Sequence, residues 1–465
     1  MGKYKIQTLI YPDRRFYREV ALIALPVALQ GLITIGVNIT DTLMIGMLGE
    51  RQLSAASLAT QYMNMFQSFC MGLSMGISVM ASRYWGMQEL ISMKKTITVM
   101  FRCCLLLAAF FTLTTGFIPE QIMWMYTKEE DIIAYGVQYL EYCTYSYIFF
   151  GLSLTTTVVL RSMKKVKLSL LTSILSFLLN IAGNYVLMFG KLGFPKMGIA
   201  GAALSTLLVR MFEFVVICGY LFCGEKRLNY TVRDFFHKAG DLFPEYIRIG
   251  FPVLISDIVL ALGNNVVMMI IGRIGAAFVA ANAIASVVDR LCNIFIQGVS
   301  QGSAVITGNT LGQGRSEEVK QQGWAFLGIG IVLGVLSAVV LLLIKKPVIL
   351  IYHLTDDTAE ITQQLMYAMS LTVVFQSANH ILTKGTLRGG GDTKALMVAD
   401  NLFLWMVAIP LGLVTGIVGK ASPFFVYVCL KMDNPIKTLW CVMRLRNGKW
   451  IKRIHTAGVQ EDTAV

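Results

Sequence analysis

Charge is scarce in this chain. Asp, Glu, Lys and Arg make up 14% of 465 residues, 55% are hydrophobic, and the mean hydropathy is +0.64. A soluble protein carries about 25% charged residues, so there is too little polar material here to coat a water-facing surface. Metal and disulfide frameworks are missing too. The nine cysteines include no CxxC and no Cys/His cluster, which excludes a zinc site and a disulfide scaffold and leaves buried free thiols. Enzyme signals are absent. The histidines, His237, His353, His380 and His455, stand far apart without companion motifs. The glycine-rich "RGGGDT" (388–393) lacks the GxxxxGK[ST] pattern and follows no strand; it reads as a tight cytoplasmic turn with Arg388 at the lipid surface. The basic N-terminus has no short apolar region with a cleavage site, so no signal peptide is expected and the first span serves as the insertion signal. Ile6 occupies the position where a myristoylation motif has Ser or Thr.

What the chain has instead is runs of about 20 apolar residues, each long enough to cross a bilayer as a helix. "WAFLGIGIVLGVLSAVVLLLI" (324–344) is uninterrupted. Spans are expected at 21–47, 54–80, 96–117, 132–160, 168–190, 198–222, 247–271, 280–306, 323–344, 361–383, 395–417 and 421–442, the last interrupted by Lys431, Asp433, Asn434 and Pro435. This is an all-α integral membrane protein with twelve transmembrane helices. A β-barrel would show short alternating segments.

The forty basic residues sort by side. With a cytoplasmic N-terminus, 28 lie at cytoplasmic ends and loops, 8 on the opposite side and four within spans. This bias places both termini in the cytoplasm of a multi-pass protein of the cell inner (cytoplasmic) membrane. The net charge of +13 is therefore a topology signal and a lipid contact, and no nucleic-acid partner is expected.

The chain also repeats. Slide it along itself until Pro26 meets Pro252. Val27 then meets Val253, Asn38 meets Asn264, "IGMLG" (45–49) meets "IGRIG" (271–275), "MGLSMGISV" (71–79) meets "QGVSQGSAV" (297–305) and Gly86 meets Gly312. The halves are read as an N-lobe (1–222) and a C-lobe (247–465) joined by a cytoplasmic linker (223–246). Six spans each make the repeats parallel. Some secondary transporters share this plan, binding substrate near mid-bilayer and rocking to alternate access. Gly72/Gly76 and Gly298/Gly302 let helix backbones approach.

One acid interrupts the first span. Asp41, in "NITDTLMIG", sits six residues, or about 9 Å at 1.5 Å per residue, from that span's outer end. A carboxylate there must face a cavity or a partner. Asn38 lies on nearly the same face. In the fifth span Asn180 and Asn184 are i and i+4, so their amides share a face. The sixth span opens with "GIAGAALST", ending in Ser205-Thr206. This set suits a proton on Asp41 or a small hard cation on oxygen ligands, with a helix-gluing cluster as the structural alternative. The C-lobe has Val267 at the position matching Asp41 and offers Asp257 instead, either as an attractor of cationic substrate or as a partner of Arg290. Arg210/Glu213 and Asp289/Arg290 read as local pairs or cytoplasm-edge residues, and Asp400 also falls within a span.

Across essentially its whole length the chain resembles the multidrug and toxic compound extrusion (MATE) transporters. The resemblance is carried by "LPVALQGLITIGVNITDTLMIGMLGE", "ASRYWG", "NIAGNYVLMFG" with "GIAGAALST", "LRGGGDTKALMVADNLFLWMVAIPLG" and "KTLWCVMRLRNGKW". It implies efflux of organic, mostly cationic small molecules in exchange for H⁺ or Na⁺, without a cofactor, by a monomer whose other partner is membrane lipid. By position it makes Asp41 the coupling residue, supported by Asn180, Asn184 and Thr206, with Na⁺ held at Asp41, Asn180 and Asn184. Asn38 and Asp257 would line the substrate cavity. The chain departs from the family pattern in two places. "LRSMKKVK" (160–167) stands where symmetry calls for a glycine-rich turn, and "LALGNNVV" (260–267) where another branch carries an acid. The nearest alternative is a lipid-linked sugar flippase of the same superfamily, which would carry extra spans or a cationic cavity. An alternative of another class is a membrane-embedded enzyme or sensor, which would need a reactive constellation or an added soluble domain.

Overall fold

The computed structural model describes residues 9–236, 239–351 and 354–452. His237, His353 and His455 lie outside the described residues. Among the described residues every regular element is helical. The first half contains α1 (Arg14–Gly46), α2 (Glu50–Met87), α3 (Leu90–Phe117), α4 (Pro119–Trp124), α5 (Glu130–Ser162), α6 (Val166–Phe189), α7 (Ile199–Gly219) and the short α8 (Val232–Phe236). The second contains α9 (Phe243–Ile274), α10 (Ala276–Gly312), α11 (Ser316–Ile351), α12 (Asp356–Ile381), α13 (Leu387–Gly389), α14 (Thr393–Phe403), α15 (Ile409–Leu413), α16 (Pro423–Leu430) and α17 (Asp433–Asn447).

Among the described residues, ten helices are long and apolar enough to cross a bilayer. The remaining two expected spans are helical as well. One is α12. The other breaks into α16 and α17 at Lys431-Met432, where polar side chains and Pro435 interrupt the apolar run. The protein is thus a multi-pass, all-α membrane protein of two six-helix repeats. Backbone geometry repeats along with the sequence. The last glycines of "IGMLG" and "IGRIG", Gly49 and Gly275, precede α2 and α10 with φ of 137° and 153°, values open to glycine and closed to side chains with a Cβ.

Two compact units emerge from the contacts. The N-unit is Leu29–Gly250; the C-unit combines the described residues up to Ala28 with those from Phe251 onward. The boundaries fall inside α1 and α9, beside Pro26 and Pro252, and not at the polar segment 223–246. The first turns of α1 and the residues just before it belong to the C-unit, where their aromatic side chains find partners. Tyr11 donates to Glu318 Oε1 at 2.8 Å, and the Phe16 ring lies edge-on to Phe326 at 5.0 Å. The first turns of α9 belong to the N-unit, where the Tyr246 hydroxyl donates to the Leu73 carbonyl.

The N-unit core is aromatic. Phe66, Phe111 and Tyr147 are fully buried, with ring centroids 5.0–5.8 Å apart. In the C-unit, buried Trp450 anchors a cluster with Leu387, Leu396 and Leu445.

Among the described residues, four five-residue π-turns interrupt the helices, at Tyr220–Gly224, Leu382–Thr386, Leu404–Ala408 and Val414–Val418. The third has a visible cause. Pro410 lacks an N–H, which removes a bond from the α pattern just ahead of it. Such bulges recur at functional sites.

Candidate functional site

In the N-unit, α6 brings its amide pair against α1. Asn184 Nδ2 donates to Asp41 Oδ1 at 2.6 Å, and Asn180 lies within reach of the same carboxylate. Asn180 and Asn184 are 3% and 1% exposed, and their Oδ1 atoms have no hydrogen-bond partner. A buried carbonyl oxygen left without a donor is costly, and a bound cation or proton would satisfy it. The amides reach α1 because α7 packs closely behind α6. Gly183, between the two asparagines, has no Cβ, and the Ser205 hydroxyl occupies that space while donating to the Asn180 carbonyl at 3.3 Å.

Two neighbours, Tyr139 and Thr60, escaped sequence reasoning because they come from other helices. Buried Tyr139 of α5 sits beside Asp41, Thr60 and Thr206. Arg210 of α7 acts electrostatically on Asp41. It is not bonded to Asp41; it pairs with Glu213 at 2.8 Å and lies 4.0 Å over the Phe150 ring. The expected local pair Arg210/Glu213 therefore forms, and it partly neutralises the cation nearest the acid. Thr206 spends its hydroxyl on the Ala202 carbonyl at 3.1 Å. Asn38 is exposed, and only its backbone carbonyl is used, by Thr42. The structure thus unites Asp41, Asn180 and Asn184, brings Thr206 near them through Tyr139, and leaves Asn38 outside.

The C-unit carries a second polar region that the sequence did not announce. Lys437 is 4% exposed and bridges Asp433 at 3.0 Å and Asp400 at 3.6 Å, both acids also buried. Asn379 donates to Asn434 at 3.0 Å. Half-buried Asp257 of α9 does not pair with Arg290. Among the described residues its side chain makes neither an ion pair nor a hydrogen bond, and it acts on Lys384 of the second π-turn. Arg388, expected at the lipid surface, is 5% exposed. The helix continues through the π-turn as far as Gly389 and carries Arg388 inward. The turn that follows keeps its acid occupied, since Asp392 accepts two hydrogen bonds from Arg444, at 2.7 and 3.1 Å.

Comparisons with known proteins agree with this architecture. The chain is 25% identical over 413 residues to "Probable multidrug resistance protein NorM" of Rhizobium meliloti (strain 1021), covering 85% of this chain and 87% of the relative. It is 24% identical over 452 residues to the protein of the same name from Thermotoga maritima, covering 94% and 93%. The fold matches a solved structure described as "MATE in the bent conformation" with a TM-score of 0.82 at 17% identity, over 93% of this chain and 96% of that one. Finally, residues 26–186 and 252–414 each match the MatE family profile, and the matches begin at the two prolines that the internal repeat superimposes; the chain belongs to the MatE family.

Proposed function

We propose that this protein is a secondary antiporter. It exports organic, mostly cationic drugs or toxic compounds across the cell's inner membrane in exchange for H⁺ or Na⁺, with both termini in the cytoplasm. It works as a carrier, without a cofactor and without covalent chemistry, and as a monomer among lipids. The observation that carries the reading is the Asp41 carboxylate held at 2.6 Å by Asn184, with two buried amide oxygens, on Asn180 and Asn184, unpartnered beside it. The names of the relatives, multidrug resistance proteins, point the same way.

The mechanism rests on competition for one negative charge. A proton on Asp41 neutralises it; alternatively, Na⁺ is held by the carboxylate with the Asn180 and Asn184 oxygens, the donor set that hard cations favour. Either occupant removes the charge that attracts an organic cation. When the ion leaves, the carboxylate draws the substrate. Ion and substrate thus bind in alternative states, and the difference in affinity between those states is the coupling free energy. Alternating access between the lobes turns that competition into vectorial exchange.

The test is ethidium-type dye efflux from proteoliposomes under an imposed pH or sodium gradient. Asp41→Asn inserts normally and loses gradient-driven efflux by about 100-fold, or 2.7 kcal/mol. The arm that drives the unmutated protein identifies the ion. Normal driven efflux from Asp41→Asn would remove the acid from the mechanism.

A further inference from the structure

The antiporter reading leaves three arginines at the start of α1 without a role. Arg14, Arg15 and Arg18 are exposed, and among the described residues none of their guanidinium groups makes an ion pair or a hydrogen bond. Asp13, the acid next to them, accepts the Arg15 backbone amide at 2.8 Å; it caps the helix start and leaves the side chains unpaired. At the start of α11 in the same unit, basic side chains behave differently. Arg315 closes on Glu318 and Lys320 on Glu317, each at 2.6 Å.

Helical spacing puts the arginines in register with leucines. Arg14, Arg18, Leu22 and Leu25 follow one another at i+4, i+4 and i+3, so they line one face of α1. Leu22 and Leu25 are 50% and 53% exposed. The opposite face is committed to the protein: Phe16, Val20, Ile23, Ala24 and Val27 are buried. A Cβ on Gly298 of α10 would meet the Ala24 carbonyl at 2.5 Å, and one on Gly302 would meet Ile23 at 3.6 Å. This close packing fixes the rotation of α1 and holds the arginine–leucine stripe outward. Depth is fixed as well. The Phe16 ring, from between the arginines, sits 5.0 Å from that of Phe326, the third residue of the uninterrupted apolar run that opens at Trp324. The arginines thus stand where α11 enters the hydrocarbon layer, at the level of lipid phosphates.

We propose that this face of α1 is a binding site for one anionic phospholipid, with Arg14 and Arg18 taking the phosphate, Arg15 beside them, and the acyl chain lying along Leu22 and Leu25. Guanidinium suits the partner, since its planar fork offers a phosphate two parallel N–H···O bonds. Three positive charges without protein counter-ions select a lipid of net negative charge over one whose phosphate is balanced by its own ammonium. Topology requires only that basic residues lie on one side of the membrane. A site requires them on one face and at one depth, and α1 meets both conditions.

The test is native mass spectrometry of the delipidated full-length protein in detergent, with dioleoyl phosphatidylglycerol and dioleoyl phosphatidylcholine added in equal amounts. The unmutated protein retains phosphatidylglycerol in preference. Arg18→Gln lowers that preference by about fivefold, the scale of one basic residue at an anionic membrane surface. The triple variant Arg14→Gln/Arg15→Gln/Arg18→Gln abolishes it, and Arg18→Lys, which keeps the charge, recovers part of what Arg18→Gln loses. A control triple, Lys167→Gln/Lys226→Gln/Arg248→Gln, removes three exposed cations of the N-unit and leaves the preference within about twofold, since salt screens charges that do not touch the lipid. Equal retention of the two lipids by the unmutated protein would overturn the proposal. So would an equal fall in both triple variants, which would mean bulk charge without a site. Competition from sn-glycerol 3-phosphate would also overturn it, by assigning the arginines to a soluble anion.

Discussion

In the N-unit the Asp41 carboxylate accepts one amide hydrogen at 2.6 Å beside two unpartnered carbonyl oxygens. In the C-unit Asp400 and Asp433 close on Lys437 at 3.6 and 3.0 Å. The two halves share a sequence pattern, the same positive-φ glycine before α2 and α10 and the same family profile, yet they treat intramembrane acid oppositely. The N-unit holds the Asp41 carboxylate with neutral dipoles. The C-unit gives Asp400 and Asp433 a tethered ammonium that cannot leave.

The largest expected effect comes from breaking the tethered pair. Lys437→Met strands two buried carboxylates and destabilises the protein by about 3–5 kcal/mol, read as a fall in the unfolding midpoint of purified protein. Adding Asp400→Asn and Asp433→Asn recovers most of the loss. A single variant within about 1 kcal/mol of the parent would mean that the C-unit acids are as tolerant as Asp41, and the contrast would fail. Next is Asn184→Ala, which removes the one amide bonded to Asp41. It raises the half-saturating ion concentration for efflux by about tenfold and leaves insertion intact.

A smaller effect separates buried charge from charge at the membrane edge. Asp234, in the segment after α7, lies 3.0 Å from Lys94. Burial works against its charge, but hydrogen bonds from the Thr231 amide and hydroxyl and from Lys94 outweigh that and hold its carboxyl below the usual range. A folded value below the unfolded one means the stabilisation is complete above an unfolded pKa of about 3.9. It is lost as pH falls through the folded value. Asp234→Asn should cost less than about 1 kcal/mol at pH 7 and flatten the acid side of a melting-temperature profile between about pH 5 and 2. An acid limb as steep as the parent's would assign that limb to other carboxyls. Smallest is Thr206→Val. Its hydroxyl is already bonded to Ala202, so efflux should stay within about twofold, less than one typical hydrogen bond; a larger loss would mean the hydroxyl turns towards Asp41 during the cycle.

Much of the fold could be read because a bilayer constrains it so strongly. Apolar runs near 20 residues, a side bias in basic residues and matched glycines and prolines leave few alternatives. Within the N-unit site, Asp41 and the Asn180/Asn184 pair were legible because helical spacing puts i and i+4 on one face. Tyr139 and Thr60 were not, since nothing in a linear pattern says which faces of α2 and α5 turn towards α1. Asn38 shows the limit of the same rule: it shares a helix with Asp41 and is nonetheless exposed. In the C-unit, the i, i+4 spacing of Asp433 and Lys437 was visible in principle, whereas the bridge to Asp400 joins α14 to α17 and appears only on folding. Arg388 was misplaced because glycines suggested a turn where a π-bulge carries the helix on. Such bulges leave little trace in sequence unless a proline such as Pro410 follows.

The exchange of helix starts sets a schedule for synthesis. Tyr11 meets Glu318, a partner 307 positions later in the chain. Ribosomes add about 5–20 residues per second, so Tyr11 waits roughly 15–60 s for that partner to be made. During that interval the nascent protein has an aromatic segment with nowhere native to dock, and the biogenesis machinery must shelter it. A fragment ending after the sixth span would lack Glu318 and Phe326, the partners of Tyr11 and Phe16, altogether.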